Sequence, residues 1–335
     1  MMSSGIRSSM LQPHEAESPR RIGFLLLPKF SLIGLLSAIE PLRGANRTLG
    51  YSAYSWHFFS VDGAPVAASN GIPIAPEAGI EAIDHFPCLS VLASYDPLAA
   101  VSQPLYRWLR RLYRQGAELG GFETGAVVLA EAGLLPGRRV TLHWETLEAF
   151  RERWFDIDAR DSLYEIDGPI FTCSGATAGM DLMLYLIGLH HGGTVAADVA
   201  DQFLHTEIRS AGAHQRMAAD TRVGTSDPDL VRATETMEAH IENPLPLDAL
   251  ASACNLSRRR LERLFKRHLG EPPQRWYLRL RLERARHLLR YGDLQVNEVA
   301  VACGFGSAAY FSRAYRGRYG QTPVNERRRA SARQG

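Results

Sequence analysis

Residues 119–130 read L-G-G-F-E-T-G-A-V-V-L-A. Gly120, Gly121 and Gly125 crowd one central residue, Glu123, just ahead of an apolar, helix-like run. This is how a chain lifts a nucleophile onto a tight strand-to-helix turn. A carboxylate is a poor nucleophile for acyl transfer, which wants a thiolate or a base-activated hydroxyl. The stretch therefore predicts the architecture of an enzyme without its chemistry. A mixed anhydride formed at Glu123 is the remaining catalytic route.

Outward from the turn, R-I-G-F-L-L-L-P (21–28) has the pattern of a buried strand, and S-L-I-G-L-L-S-A-I-E-P-L-R (31–43) that of a helix. Strands and helices continue to alternate through H-F-F-S-V, L-S-V-L-A-S, a helix over 105–114, the E-L-G-G-F stretch and the helix after it. Such alternation predicts an α/β domain with a doubly wound, mainly parallel sheet. Ligands of these sheets bind beyond the carboxyl ends of the strands, where Ser94, Tyr95 and the Glu123 turn are expected.

The chain has 335 residues, 45% of them hydrophobic, enough for two domains. Pro28 and Lys29 interrupt the apolar run 22–39, and Asp181 the run 180–189, so no membrane span is expected. The first 20 residues are polar and lack the apolar core of a signal peptide, which predicts a mobile tail and a cytoplasmic protein. Cys88, Cys173, Cys254 and Cys303 lack metal-ligand spacing and read as reduced packing residues. Neither a metal nor a cofactor is expected. Net charge is only +2, but from Asp229 onward 20 Lys and Arg face 11 Asp and Glu, whereas before it 18 face 25. A basic third beside an acidic body points to a nucleic-acid module attached to something else.

The segment D-T-R-V-G-T-S-D-P-D (220–229) reads as the linker. Beyond it the sequence repeats. Residues 247–273 parallel 296–323, with Ala251 matching Ala300, Cys254 matching Cys303, Ser257 matching Ser307, Arg263 matching Arg313 and Gly270 matching Gly320. Each copy places a short helix, a turn, an N-cap Ser and a second helix ending at Gly, the layout of a helix-turn-helix. In the first copy Leu261, Leu264 and Phe265 should face the core, leaving Arg258, Arg259, Glu262, Arg263 and Lys266 outward. In the second, Phe311, Ala314 and Tyr315 pack, which exposes Ala308, Ala309, Ser312, Arg313 and Arg316. Residues 273–290 between them have helical spacing and would form a rod of about 27 Å, suited to placing two recognition helices about one turn of B-DNA apart. An all-helical interaction domain with a solvated arginine face is the competing reading.

Residues 230–329 resemble the DNA-binding domain of the AraC/XylS family of transcription regulators, whose signature the second copy, A-C-G-F-G-S-A-A-Y-F-S-R-A-Y-R-G-R-Y-G-Q-T-P, approaches closely. The resemblance implies promoter DNA as partner, a homodimer, RNA polymerase as a further candidate partner, and base-reading roles for Arg259, Glu262, Arg263, Ala308, Ala309, Ser312 and Arg313. Residues 330–335 are expected as a second tail. Residues 21–219 resemble the class I glutamine amidotransferase-like (PfpI) superfamily in the version fused to AraC-type domains, through P-K-F-S-L-I-G-L-L-S-A-I-E-P-L-R, G-F-E-T-G-A-V-V-L-A and D-G-P-I-F-T-C-S-G-A-T-A-G-M-D. That resemblance implies a flavodoxin-like sheet and a Cys at the elbow, where this chain has Glu123. It places His143 near the superfamily's catalytic His.

What remains is a pocket that binds without turnover. Glu40 and Glu123 are its expected carboxylates, with Ser94, Tyr95, Thr124, His143, Trp144 and Glu145 around them. Carboxylates and an indole face suit a positive nitrogen. The anionic end of a zwitterion would then meet backbone N–H groups at the start of the helix after Glu123. Trp144 as a core residue and Glu145 as the start of a solvated helix is the competing assignment. By resemblance, effectors of the fused subgroup include arginine, carnitine and glycine betaine. The expected function is an activator of catabolic genes controlled by such a metabolite; the alternative is a PfpI-type hydrolase or amidotransferase-like enzyme fused to a DNA-targeting domain.

Overall fold

The first strand, β1 (Arg20–Leu26), reads RRIGFLL and buries every residue except Arg21. A run apolar on both faces belongs in the middle of a sheet covered by helices on both sides. The computed structural model describes residues 10–11, 19–217, 220–221, 224–292 and 294–334, with side chains as far as residue 329. The chain divides into two compact units, Met1–Gln215 and Arg216–Gly335.

In the first unit β1 is followed by α1 (Leu32–Leu49), β2 (Tyr54–Ser60), β3 (Val66–Ala67), β4 (Pro73–Ile74), β5 (Ala78–Gly79) and β6 (Cys88–Ala93). Then come α2 (Gln103–Arg114), β7 (Glu118–Glu123), α3 (Gly125–Glu131), β8 (Arg139–Thr141) and α4 (Trp144–Arg153). The unit ends with β9 (Asp158–Arg160), β10 (Tyr164–Asp167), β11 (Ile170–Cys173), α5 (Ala178–His191) and α6 (Gly193–Gln202). The main sheet has seven strands in the order β10-β11-β7-β6-β1-β2-β5. All its pairings are parallel except the edge pair of β10 with β11.

Successive strand residues point to opposite faces, and the two cores follow from that alternation. Ile22, Phe24 and Leu26 of β1 join Leu92 and Phe122 under α1, α5 and α6. Leu25 joins Leu89, Val91 and Leu119 under α2, α3 and α4. The chain leaves β1 toward β2 but leaves β6 toward β7, so the strand order reverses between the adjacent strands β1 and β6. The crevice at such a reversal is where open α/β sheets bind ligands.

Two of the predicted boundaries differ in the structure. Of the expected 20-residue tail, Met10 and Leu11 are buried, and Arg20 already belongs to β1; residues 1–9 and 12–18 lie outside the described residues. The backbone N–H groups of Met10 and Leu11 donate to the Glu118 carboxylate at 2.7 and 3.3 Å. The Met10 carbonyl can only accept, so His190 Nε2 donates to it at 3.0 Å, and His190 Nδ1 accepts from Tyr54 Oη at 2.7 Å. Met10 thus fills a gap that polar composition around it disguises.

The expected linker 220–229 runs into the second unit's first helix, α7 (Pro228–Ala239), because Asp227 accepts from the N–H groups of Asp229 and Leu230 and Pro228 occupies the first turn. After α7 follow α8 (Leu247–Ala253), α9 (Arg258–Leu269), α10 (Pro273–Tyr291), α11 (Val296–Ala302), α12 (Ala308–Tyr319) and α13 (Pro323–Gln334). Helix α13 takes up most of the expected second tail.

Close backbone approach makes one glycine of the opening stretch obligatory. A Cβ on Gly125 would lie 2.1 Å from the Val91 carbonyl oxygen, a backbone atom that cannot step aside. Gly125→Ala should lower the stability of the first unit by about 1–3 kcal/mol, as overpacking does. Gly193→Ala, with open space around it, should stay within about 0.5 kcal/mol of the parent. Chemical denaturation of both variants checks the pair.

Candidate functional site

Four non-glycine residues with positive φ sit at the carboxyl ends of four neighbouring strands: Lys29 (63°) after β1, Asp96 (53°) after β6, Glu123 (54°) ending β7 and Ala176 (46°) after β11. Each such residue costs on the order of 1 kcal/mol, and strain of this kind persists where the surroundings fix it, often at binding sites. Lys29 Nζ and Asp96 Oδ2 pair at 3.1 Å across the ends of β1 and β6.

Glu123 is 7% exposed. Its Oε1 accepts from the Ala176 backbone N–H at 3.3 Å. A Cβ on Gly175 (φ 90°) would lie 1.8 Å from Glu123 Cγ, and one on Gly34 3.5 Å from its Oε1. Gly175 thus makes room for this carboxylate, while the Gly34 position lies at ordinary contact distance from it. Thr124 closes the elbow from behind: its N–H donates to the Ala93 carbonyl at 3.2 Å and its Oγ1 to the Ser94 carbonyl at 2.7 Å. Tyr95, beside Ser94, is half-exposed at the rim.

Other expected pocket residues lie elsewhere. Glu40 accepts from Arg43 Nε at 2.7 Å. It is six residues beyond Gly34, so it lies about 9 Å further along α1 and 240° around it. Glu40 is therefore not brought to Glu123. The first turn of α3 is packed against β6, with the Val91 carbonyl against Gly125.

His143, Trp144 and Glu145 form a second cluster at the start of α4. His143 Nδ1 accepts from the Glu145 N–H at 3.4 Å, capping the helix. The His143 and Trp144 rings lie 5.7 Å apart. Glu123 and His143 share no hydrogen bond or ion pair among the described residues.

The signal that sequence reading missed is the strap formed by residues 203–215. Asp181, fully buried in the first turn of α5, accepts from His205 Nε2 at 2.9 Å, from the Arg209 N–H at 2.8 Å and from Arg209 Nη2 at 2.5 Å. Arg209 Nη2 also reaches Thr177 Oγ1 at 3.0 Å, one residue from Ala176. Gln215, at the end of the strap, accepts from the Trp144 N–H at 2.8 Å and donates to the Leu142 and Ser162 carbonyls at 2.9 and 3.0 Å. Both clusters are thereby tied to the segment where the first unit ends.

The four cysteines are free and buried. Burial pushes the Cys173 thiol, the one nearest the elbow carboxylate, up to about 12, with the Glu123 charge adding to the rise. Such a thiol is inert as a nucleophile.

In the second unit the two copies match closely. Helices α9 and α12 have 12 residues each, Ser257 and Ser307 accept from the Arg260 and Tyr310 N–H groups, and Gly270 and Gly320 end them at φ 71° and 72°. Leu261, Leu264, Phe265, Phe311 and Tyr315 are buried. Arg259, Arg263, Arg313 and Arg316 are exposed, with Ala308 and Ala309 beside the last two. None of these four arginines forms an ion pair among the described residues. Arg258 pairs with Glu262 at 3.1 Å, and Lys266 Nζ donates to the Gly270 carbonyl at 3.2 Å, so these three are engaged within the unit. Ser312 is half-buried.

Helix α10 joins the copies. From it Arg281 donates to the Cys303 and Gly304 carbonyls at 2.8 and 2.6 Å and lies over the Phe305 ring at 4.1 Å, gripping the turn of the second copy. Glu326, 4% exposed, accepts from Arg290 Nε at 2.7 Å, from Tyr315 Oη at 3.0 Å and from Gln321. Burial by itself would raise its pKa, but the hydrogen bonds from Arg290 and Gln321 hold it below the usual range.

A family model described as a helix-turn-helix domain matches residues 250–329. The chain is 49% identical over 304 residues to the HTH-type transcriptional regulator CdhR of Pseudomonas aeruginosa, covering 91% of this chain and 90% of that one. The solved structure of an AraC family transcriptional regulator from Pseudomonas putida matches 55% of this chain and all of its own, at 24% identity and a TM-score of 0.51. A THiJ/PfpI family protein from Pseudomonas syringae matches over 71% of this chain and 90% of its own, at 17% identity and a TM-score of 0.51. These two structural likenesses speak to the fold of the first unit and of the chain's α/β core.

Arg263→Ala and Arg313→Ala should each relax base preference and cost about 1–3 kcal/mol if they reach base edges. Titration against a randomised duplex pool checks this; equal weakening on every sequence reassigns them to phosphates. The carboxylate form of Glu326 is favoured in the fold, so its contribution is complete above the ordinary Glu range and is lost as pH falls below it. Glu326→Gln should therefore destabilise the second unit at pH 7 by about 1.5–3 kcal/mol and flatten its acid sensitivity, as read from thermal unfolding between pH 7 and 3.

Proposed function

The chain belongs to the family of AraC-type helix-turn-helix transcriptional regulators, and from that premise we propose that it activates catabolic genes in response to a small nitrogen-containing metabolite such as an amino acid or betaine. Its first unit has the PfpI-like α/β fold. The observation that carries the proposal is Glu123: a buried carboxylate on a strained elbow, with the space beside it cleared by Gly175 and no nucleophile in its place. A site of that kind attracts a positive nitrogen and leaves it chemically unchanged. With Cys173 buried and its thiol raised to about 12, no thiolate stands in for the missing elbow nucleophile.

The anionic end of a zwitterion would meet the full charge of Lys29 in preference to the backbone N–H groups at the start of α3. Lys29 is half-exposed at the end of β1, two strand spacings or about 10 Å from the end of β7. An effector ammonium at Glu123 with its carboxylate toward Lys29 would exchange partners with Asp96. The rearrangement would be felt at Ala176 and hence, through Thr177 and Asp181, at the strap that leads out of the unit.

On the DNA side, Arg259, Arg263, Arg313 and Arg316, exposed and without an ion pair among the described residues, support sequence reading at promoter DNA in the cytoplasm. The protein would act there as a homodimer, with RNA polymerase as a further partner. No helix among the described residues is long and apolar enough to cross a membrane.

Glu123→Gln keeps the shape and removes the charge. It should weaken a cationic effector by about 1.5–3 kcal/mol, the range of a charge-assisted hydrogen bond. Calorimetry with amino acids and betaines on parent and variant tests this. An unchanged affinity, a best ligand without a positive nitrogen, or turnover of the ligand by the parent would each overturn the reading.

A further inference from the structure

Helix α2 carries four arginines, Arg107, Arg110, Arg111 and Arg114, and no Asp or Glu. It belongs to the part of the chain before Asp229, where 25 acidic residues outnumber 18 basic ones. The helix itself carries positive charge alone; nearby, Glu81 flanks it and Asp84 pairs with Arg111 at 3.4 Å. Arg107, Arg110 and Arg114 are spaced by three and four, so their guanidinium groups share one side of the helix within about 10 Å along its axis. None of the three forms an ion pair among the described residues.

The surface beside them is concave. A groove of about 990 Å³ runs along α2, bounded by Ile80 and Glu81 on one flank and by Gly133, Leu134 and Arg138 on the other. Its cations are held from behind. Arg110 Nε donates to the Ala132 carbonyl at 2.8 Å, and Arg111 Nη2 to the Ile83 carbonyl at 3.1 Å. Arg138 is fixed by Asp167 at 3.1 Å and by Tyr113 Oη at 3.3 Å. Trp108 is 5% exposed and donates to the same Ile83 carbonyl at 2.8 Å, which anchors the helix. Placed guanidinium groups with free edges recognise phosphate oxygens in pairs. A groove of this volume suits a small molecule. None of its lining residues belongs to the elbow site.

We infer that this groove binds a compact polyphosphate-bearing metabolite of the nucleoside di- or triphosphate class. Phosphates supply dense negative charge in a small volume, which three uncompensated guanidinium groups require and a single carboxylate does not meet. The site is independent of the elbow and gives the protein a second small-molecule input.

The test uses the full chain saturated with duplex DNA, so that the arginines of the second unit are occupied, titrated calorimetrically with sodium tripolyphosphate at 0.15 M salt. The expected result is one saturable site per chain, retained in Glu123→Gln. In the triple variant Arg107→Gln, Arg110→Gln, Arg114→Gln it should weaken about 30-fold or more, as loss of charge-assisted hydrogen bonds implies. Duplex affinity should be unchanged, and the unfolding temperature should fall by no more than the loss of the Arg110–Ala132 hydrogen bond implies. Arg107→Gln alone, whose side chain makes no described hydrogen bond, should give a smaller loss in the same direction and guards against a folding defect in the triple variant. Absence of saturable binding, equal affinity in the triple variant, or binding no tighter than orthophosphate overturns the inference. Loss of duplex affinity in the triple variant without a polyphosphate site also overturns it, and assigns the groove to the DNA backbone.

Discussion

The candidate site of the first unit depends on one constraint, the placing of the Glu123 carboxylate at φ 54° against Gly175 and beside Ala176. The conformation is unfavourable for a residue with a side chain, and the fold holds it by removing competing atoms. Gly125 lets the following helix sit against the Val91 carbonyl, Gly175 leaves room for Glu123 Cγ, and Thr124 ties the elbow to the end of β6. The geometry of a nucleophile elbow is thus kept while the residue on it accepts a hydrogen bond from the Ala176 N–H.

The same carboxylate touches Ala176, and one and five residues further along the chain Thr177 and Asp181 hold Arg209 of the strap. Asp181 is a fully buried acid whose hydrogen-bond partners among the described residues, His205 and Arg209, both come from the strap. Removing one partner of such a buried charge costs much more than the pair contributes on its own. The segment that leaves the unit is therefore fastened at two points, α5 beside the elbow and the separate cluster at the start of α4. On the proposed function this arrangement carries a change at the elbow to the residues that precede the second unit.

Much of this was legible in the sequence, for identifiable reasons. The alternation of buried strands and helices predicts the parallel sheet because each strand must be apolar on both faces. The repeat of Ser caps and Gly ends predicts two equal recognition helices because helix termini have few residues that satisfy them. Glu40 was misplaced because a helix pattern does not say which turn faces the sheet's edge. Met10 was missed since two apolar residues within a polar segment carry no periodicity. The Asp181 strap, the Arg281 grip on the second turn and the Glu326 cluster depend on contacts between residues far apart in sequence, for which local pattern has no signal. The groove along α2 was present as an arginine-rich helix, but its concavity is a property of packing alone.

The most direct measurement is the affinity of the full chain for its preferred duplex, selected from a random pool, with and without a saturating ammonium-bearing effector. It is made on the parent and on Arg209→Gln, which loosens the strap from Asp181 and Thr177. The account predicts that the effector changes duplex affinity about 5- to 150-fold in the parent, the usual range of allosteric coupling. It predicts that Arg209→Gln binds effector and duplex separately but loses most of that change. The same duplex affinity with and without bound effector, or full coupling in Arg209→Gln, would contradict it.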